Sequence, residues 1–248
     1  MLTLNNITYQ VPDENDPGTR KVILDHISLD IEDGKFLVIT GPNGSGKSTL
    51  AKTIAGIYPV SSGSILLDGK DITGASVTER AKMGMSFAFQ QPVRFKGLDV
   101  FDMLKLSSGN PDLTMANACA YLSEVGLCAR DYIKREVDAS LSGGELKRIE
   151  IAMILARNTR ISIFDEPEAG IDLWSFANLI RVFEKIKKET NGTIIIISHQ
   201  ERILSIADKI LVIEQGKVKR YADRNDVLPE ILGTESALPS CNAYENKR

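Results

Sequence analysis

The sequence predicts an α/β protein built around a mainly parallel β-sheet, and three observations support this fold class. Short apolar runs typical of buried strands alternate with helical segments along much of the 248-residue chain. One such run, Phe36–Thr40, leads into the glycine-rich segment GPNGSGKST, which opens a helix predicted over residues 47–57. Residues 92–140 lose the β-branched content of the strands and show helical periodicity at 100–106 and 115–125, which indicates an inserted helical subdomain.

The predicted strands fall into two groups. Near the N-terminus, turn-rich segments separate strands and predict an antiparallel β edge; these strands are Leu2–Tyr9, Val22–Ile31 and Ser64–Leu67. After the helical stretch, strands alternate with helices and predict the parallel core; they are Ile161–Phe164, Thr193–Ser198 and Lys209–Glu214. Ligands bind at the carboxyl ends of such parallel strands, so we expect the functional residues there.

One unit without an internal repeat accounts for the whole chain. We predict a core, which carries the glycine-rich segment GPNGSGKST, from residues 1–90 and 157–225, with a helical subdomain from residues 91–156 between them. Residues 226–248 are polar and are expected to form a peripheral C-terminal tail.

Charge and composition exclude several kinds of function. The net charge of −3, with no basic tract, argues against a nucleic-acid partner. No apolar stretch approaches the roughly 20 residues that span a bilayer, and no charged-then-apolar leader precedes the first strand. Cys119, Cys128 and Cys241 have no metal-ligand spacing. We therefore expect a cytoplasmic protein with free thiols.

The segment Gly41–Thr49 matches the P-loop pattern G-x-x-x-x-G-K-[ST] without a departure. Glycines allow its backbone N–H groups to turn toward phosphate oxygens, and the following helix adds its positive N-terminal dipole. Lys47 is predicted to reach the β- and γ-phosphates, and the Ser48 hydroxyl to ligate Mg²⁺. The predicted nucleotide-binding residues are Gly41, Pro42, Asn43, Gly44, Ser45, Gly46, Lys47, Ser48 and Thr49.

Asp165 and Glu166 follow the apolar run ISIF and precede Pro167. Most Asp-Glu pairs are solvated surface residues, but this pair ends a predicted strand of the core. Asp165 is predicted to hold Mg²⁺, and Glu166 to polarise the attacking water, a general-base role worth typically 10²–10⁴-fold in rate.

A second glycine-rich segment, LSGGE at Leu141–Glu145, opens the helix predicted over residues 145–156. Ser142, Gly143 and Gly144 can present a hydroxyl and bare N–H groups to a phosphate. The same residues also form a helix N-cap, with Ser142 capping toward Glu145. The two interpretations are compatible, and both stay open.

These segments together resemble the ATP-binding cassette (ABC) family from end to end, since LSGGE is one residue from the family signature LSGGQ. The resemblance implies ATP and Mg²⁺ as ligands and an ATP-dependent homodimer, in which the signature loop of one subunit closes over the nucleotide on the other. It implies catalytic roles for Glu166, His199, Gln90 and Lys47, Mg²⁺ contacts from Ser48, Gln90 and Asp165, and nucleotide contacts from Ser142, Gly143, Gly144 and Glu145.

Three further segments resemble family elements, and their residues indicate a function only because of where they stand in the sequence. Gln90, in FAFQQP, resembles the glutamine that contacts Mg²⁺ and water, with Gln91 as a competitor. His199 follows the strand TIIIIS and resembles the histidine that bonds the γ-phosphate. AGID, ending at Asp172, resembles the loop that contacts the partner subunit.

The sequence departs from the family where an aromatic residue often stacks on adenine. That position is Val11 here, and Tyr9 lies two residues earlier on the same strand face. Tyr9 is the candidate substitute, and weak stacking on the base is the alternative.

The resemblance is closest to the SufC-like ATPase of the SUF system, which assembles iron–sulfur clusters. It rests on FAFQQP, on GGELKRIEI after the signature and on DEPEAGIDLWSF, where transporter ATPases more often read DEPTSGLD. This implies a soluble SufB/SufD-like scaffold protein bound through Gln90 and the helical subdomain. The alternative is the nucleotide-binding subunit of an ABC membrane transporter, whose partner is a membrane protein. Tandem ABC ATPases of DNA repair or ribosomes are disfavoured, since no tandem cassette appears.

Overall fold

The computed structural model describes residues 1–13, 16–171, 173–189 and 192–235. The strands, in chain order, are β1 (Leu2–Pro12), β2 (Arg20–Ile31), β3 (Phe36–Thr40), β4 (Ser62–Leu67), β5 (Lys70–Asp71), β6 (Met85–Ala88), β7 (Phe95–Asp99), β8 (Glu136–Val137), β9 (Ile161–Asp165), β10 (Thr193–Ile197), β11 (Lys209–Glu214) and β12 (Lys217–Asp223). The helices are α1 (Lys47–Ile54), α2 (Val77–Lys82), α3 (Val100–Ser108), α4 (Met115–Glu124), α5 (Ala129–Tyr132), α6 (Gly143–Arg157), α7 (Leu173–Glu189), α8 (Glu201–Ile206) and α9 (Arg224–Glu235).

The central sheet has the strand order β12-β11-β3-β10-β9-β6. All neighbouring pairs from β11 to β6 are parallel, and β12 closes one edge antiparallel to β11. Its inner strands are buried on both faces, as expected for a parallel sheet covered by helices. The predicted fold class, an α/β core with a mainly parallel sheet, is confirmed.

A second sheet in the order β2-β1-β4-β5 is antiparallel throughout. It packs through Leu4, Ile7 and Ile65 into an apolar core shared with α1 and one face of the central sheet. This is the antiparallel β edge that the sequence predicts. The β1–β2 hairpin is longer than the apolar pattern predicts, because β1 continues past Tyr9 to Pro12 and β2 begins at Arg20, before Val22.

The inserted subdomain is mainly helical, with α3, α4 and α6 packed against one another. Its core is continuous with the other face of the central sheet. A short ribbon of β7 and β8 also lies in this segment, where the sequence predicted helices only. Its pairing joins residues about forty positions apart, so local periodicity does not reveal it. The boundaries at residues 91 and 156 stay a prediction.

The C-terminal segment differs from expectation. Residues 224–235 form α9, and Val227 is 1 % exposed within the core. Apolar contact therefore fixes the start of the segment that was expected to be peripheral. The remainder of the tail, with Cys241, lies outside the described residues. Among the helices that the structure describes, none has the length and apolar character needed to cross a membrane.

Arg80, on α2, is buried to 2 % exposure and holds the end of α1 in place. Its guanidinium donates hydrogen bonds to Thr53 O at 3.0 Å and Ile54 O at 2.7 Å. It also bonds the carbonyls of Ala75, Ile72 and Thr73. These carbonyls include orphan acceptors at a helix C-terminus, and a planar five-donor group suits several of them at once.

We expect Arg80→Ala to lower the free energy of unfolding by about 3 kcal/mol or more, because it leaves several buried carbonyls without donors. Urea unfolding followed by circular dichroism measures the change. Arg20→Ala, at an exposed position at the start of β2, is the matched control and should stay within about 0.5 kcal/mol of the unaltered protein. Equal unfolding midpoints for the two variants would show that the Arg80 bonds contribute no stability.

Candidate nucleotide-binding site

The P-loop connects β3 to α1 at the carboxyl edge of the central sheet. At Gly41 φ is +137°, and an added Cβ would lie 2.0 Å from the Ile213 carbonyl oxygen. At Gly46 φ is +101°, and a Cβ would lie 2.9 Å from the Ile23 oxygen. These two glycines are required because the loop backbone is wedged between β11 and β2. That close packing holds the loop N–H groups in one arrangement.

Lys47 begins α1 and is 7 % exposed. Its ammonium folds back over the loop and donates to Gly41 O and Pro42 O, both at 2.9 Å. Burial lowers the pKa of Lys47, while the charges of Glu166 and Asp165 act in the opposite direction. The cation therefore lies on the inner side of the loop, held by two loop carbonyls.

Ser48 and Asp165 meet at the centre of the site. The Ser48 hydroxyl donates to Asp165 Oδ1 at 2.8 Å, which joins α1 to the end of β9. Asp165 is 1 % exposed, and burial raises its pKa, an effect that the Ser48 bond partly offsets. A hydroxyl and a carboxylate oxygen in direct contact are the ligand types that Mg²⁺ prefers.

Glu166 has φ of +46°, an uncommon left-handed conformation for a residue with a side chain. Its N–H donates to Ile197 O at 3.1 Å, so the turn after β9 is fixed to the end of β10. Its Oε2 accepts a hydrogen bond from Gln90 Nε2 at 2.6 Å. The structure thus brings together Gln90, after β6, and the predicted general base. Backbone strain of this kind is concentrated at functional sites.

His199 lies at the same edge, after β10, and its side chain is exposed. Ser198, which precedes it, is fully buried. The Ser198 hydroxyl donates to Glu168 Oε1 at 2.5 Å and accepts from the Gln200 N–H at 3.0 Å. The loop that carries His199 is therefore attached to the loop that carries Asp165 and Glu166.

The signature segment opens α6 with a complete capping box. Glu145 Oε2 accepts from the Ser142 N–H at 2.7 Å, and the Ser142 hydroxyl accepts from the Glu145 N–H at 3.3 Å. Hydrogen bonding from Tyr132 and Ser142 lowers the pKa of Glu145 to about 2. Ser142 and Gly143 are exposed. The capping interpretation holds, and it leaves the exposed face of the segment open to a ligand.

The structure does not bring the signature segment to the P-loop of the same chain. Within the described residues, no hydrogen bond or ion pair joins residues 141–145 to residues 41–49. The segment lies instead beside Gly170, whose carbonyl oxygen would be 3.9 Å from a Cβ on Gly144. Asp172, the predicted contact with a partner subunit, lies outside the described residues.

Tyr9 does not present a free ring. It stacks on Tyr58, with ring centroids 5.3 Å apart and planes 6° from parallel. Tyr58 follows the C-terminal end of α1, whereas the phosphate loop lies at the N-terminal end of this helix. One face of Tyr9 therefore has a packing role, and Val11 remains the residue at the family's adenine position.

A buried ion pair on α6 was missed by the sequence analysis. Lys147 and Glu150 lie three residues apart, with their nitrogen and oxygen atoms 3.6 Å from each other. Lys147 donates to Phe89 O, and Glu150 Oε1 accepts from the Phe89 N–H at 3.1 Å. The backbone N–H and carbonyl groups of Phe89, the residue before Gln90, are thus both held by α6. Two charges on an otherwise apolar helix face were the available signal.

A P-loop beside a buried Asp and a strained Glu, at the carboxyl edge of a parallel sheet, defines a P-loop nucleotide hydrolase. The model of the family described as ABC transporter matches residues 24–169. The chain belongs to this family and is an ATPase that binds ATP.

Similar proteins support this assignment. The chain is 39% identical over 217 residues to an uncharacterised ABC transporter ATP-binding protein of Methanocaldococcus jannaschii, with 85% of this chain and 86% of that protein covered. It is 33% identical to a probable ATP-dependent transporter, ycf16, of Cyanidium caldarium, covering 81% and 84%. A solved dimeric ATP-binding cassette with ADP and phosphate shares the fold, with a TM-score of 0.79, 24% identity and coverage of 90% and 99%.

We expect Lys47→Ala to reduce ATP turnover below detection, because it removes the cation nearest the predicted phosphates. Phosphate release at saturating ATP and Mg²⁺ measures turnover, and calorimetric titration measures binding. Lys52→Ala, on the same helix but facing Tyr58, is the matched control and should retain turnover. Turnover by Lys47→Ala close to that of the control would rule out the P-loop assignment.

Proposed function

We propose that this chain is the ATP-hydrolysing motor subunit of an ABC system, that it works as an ATP-dependent homodimer, and that it acts on a separate partner protein. The observation that carries the proposal is the pair of bonds Ser48–Asp165 and Gln90–Glu166, at 2.8 and 2.6 Å. They assemble the phosphate loop, a metal-ligand pair and a general base at one edge of the sheet.

Mg²⁺ fits the side chains at this edge. Ser48 and Asp165 supply a hydroxyl and a carboxylate oxygen. Gln90 adds a side-chain amide, which is hydrogen-bonded to Glu166, the residue next to Asp165. Oxygen ligands combined with substrate phosphates are the usual environment of Mg²⁺. When bound, the ion would neutralise negative charge on the phosphates.

The residues of the chain divide the remaining work. Backbone N–H groups of residues 43–49 cradle the phosphates, and Lys47 exchanges its bonds to Gly41 O and Pro42 O for phosphate oxygens. Glu166, held by Gln90, orients the attacking water and accepts its proton. His199 contacts the γ-phosphate from the neighbouring loop.

Dimerisation completes the site. Ser142, Gly143 and Gly144 present an exposed hydroxyl and helix N-terminal N–H groups that have no bond to their own P-loop within the described chain. A second copy placed head to tail would bring these groups to the γ-phosphate. The related cassette solved as a dimer with ADP and phosphate supports this arrangement.

A groove between the core and the helical subdomain is the proposed partner site. Its volume is about 300 Å³, and its wall includes the exposed apolar side chains Val77, Phe89, Val93 and Phe95. Glu150 also lines it; its Oε2 is buried, lies 3.6 Å from Lys147 Nζ and has no hydrogen bond among the described residues. An amphipathic helix would cover the apolar wall, and a donor on it would add a hydrogen bond to this carboxylate.

A helix of a membrane transporter subunit is the occupant that we propose for the groove. The support is the family itself and relatives whose names describe transporter ATP-binding proteins. The Energy-coupling factor transporter ATP-binding protein EcfA2 of Clostridium acetobutylicum, 34% identical over 242 residues, is one of them.

A soluble SUF scaffold protein is the second candidate partner. The specific observation in its favour is the block DEPEAGIDLWSF, together with Val11 at the usual aromatic adenine position. The relatives named above carry transporter names, so the comparisons favour the transporter partner. A cytoplasmic location is part of both proposals. The ATPase would lie at the cytoplasmic face of the membrane in one and beside a soluble scaffold in the other.

The two partner classes are separated by native co-purification of the full chain from its source cell with mass spectrometry. A polytopic membrane protein retained in detergent is the expected result. A scaffold protein without membrane spans, recovered without detergent, would replace the transporter by the assembly function and leave the ATPase site unchanged.

We expect Glu166→Gln to bind ATP but to hydrolyse it at least about 10²-fold more slowly, because the amide cannot accept the proton from water. The trapped ATP should hold a dimer, detected by light scattering after size-exclusion chromatography. The double variant Lys47→Ala, Glu166→Gln is the control and should stay monomeric with ATP. A Glu166→Gln protein that remains monomeric at saturating ATP would contradict the dimer model.

We expect Val93→Glu to abolish partner co-purification, because it places a carboxylate in the apolar wall of the groove. Val93 is 50% exposed and is not among the residues predicted to bind nucleotide or Mg²⁺, so basal ATP turnover should be unchanged. Leu106→Glu, at a position 67% exposed on α3, is the matched control and should retain the partner. Partner recovery by the Val93 variant equal to that of the control would exclude the groove.

A further inference from the structure

We propose that Glu168 is a positioning residue for His199 and that it acts through Ser198. The proposal rests on the proposed function, in which His199 contacts the γ-phosphate. Glu168 is two residues beyond the general base, in the turn that follows β9. Nothing in the P-loop or signature chemistry requires a carboxylate at this position.

The geometry connects the two loops at two points. The Glu166 N–H donates to Ile197 O at 3.1 Å. At the next residue of the second loop, the Ser198 hydroxyl donates to Glu168 Oε1 at 2.5 Å. Ser198 also accepts from the Gln200 N–H at 3.0 Å. The residues on both sides of His199 are therefore held by one hydroxyl, and that hydroxyl is oriented by Glu168.

The Glu168–Ser198 hydrogen bond is buried, so its loss would leave polar groups without a partner away from water. Ser198 is fully buried, and Glu168 Oε2 is a buried oxygen without a hydrogen-bond partner in the described part of the chain. Desolvation raises the pKa of Glu168, while its bond from Ser198 and the proximity of His199 lower it. An incompletely paired buried carboxylate is costly for stability, so the presence of Glu168 in this turn calls for an explanation, which the bond to Ser198 offers.

Loss of this bond would release the backbone at residues 198–200. Among the described residues, the His199 ring has one hydrogen-bond contact, with Gln200 Nε2 at 3.4 Å, so its position depends mainly on the backbone of its loop. The exposed imidazole would then sample positions away from the γ-phosphate. This weakens an interaction made in the transition state while leaving the P-loop contacts with ground-state ATP intact.

The experiment measures kcat and KM for ATP in the full-length protein at saturating Mg²⁺. We expect Glu168→Leu and Ser198→Ala each to lower kcat about tenfold, since a hydrogen bond to a carboxylate is worth roughly this factor. KM should change by less than about twofold. Glu168→Gln keeps an acceptor for the Ser198 hydroxyl and should restore kcat to within about threefold of the unaltered protein.

The variants are repeated in a His199→Ala background, which lacks the imidazole that Glu168 is proposed to position. There Glu168→Leu should lower kcat no further, because residues that act as one unit are not additive. Ser162→Ala, which removes another buried hydroxyl bond at 2.8 Å to Thr159, controls for a general loss of stability and should leave kcat unchanged.

The outcomes are distinct. Full activity of both Glu168→Leu and Ser198→Ala, or a further tenfold loss in the His199→Ala background, would overturn the positioning role and leave the ATPase assignment intact. Absence of ATP turnover in the unaltered protein would instead contradict the proposed function and remove the basis of the positioning role. If Glu168→Leu does not fold, the Ser198→Ala variant alone decides between these outcomes.

Discussion

The hydrogen bond between Ser48 and Asp165 is the contact on which the rest of the site depends. It joins the first turn of α1 to the last residue of β9 and brings a hydroxyl and a buried carboxylate to the same edge of the central sheet. The parallel arrangement makes this possible, because the neighbouring strands β3, β10 and β9 all end at that edge. Lys47, Glu166 and His199 are placed by the same geometry, each one a few residues after a strand.

Close backbone packing fixes the phosphate loop within this frame. A side chain at Gly41 would collide with Ile213 O, and one at Gly46 would approach Ile23 O within 2.9 Å. The antiparallel sheet thus supports the loop through β2, while β11 supports it from the central sheet. Arg80 holds the other end of α1 through its bonds to Thr53 O and Ile54 O. The helix between the two ends therefore has little freedom to shift.

The segment Phe89–Gln90 links this site to the proposed partner groove and to the signature helix. Phe89 lines the groove with its ring, and its backbone is held by Lys147 and Glu150 of the signature helix. The next residue, Gln90, bonds Glu166, the predicted general base. A protein bound in the proposed groove would therefore contact a segment joined both to Glu166 and to the helix that carries the signature segment.

The sequence alone determined the fold class, the P-loop, the Asp165–Glu166 pair and the signature cap, because each is a local pattern whose spacing carries its own chemistry. It also placed β3 and β11 at the residue ranges that the structure shows. The tertiary structure decided what depends on residues distant in the chain. The β7–β8 ribbon, the Arg80 bonds, the Tyr9–Tyr58 stack and the Glu168–Ser198 bond join segments whose partners no local periodicity specifies. The start of the C-terminal segment is another case, since one buried contact at Val227 outweighs its polar composition.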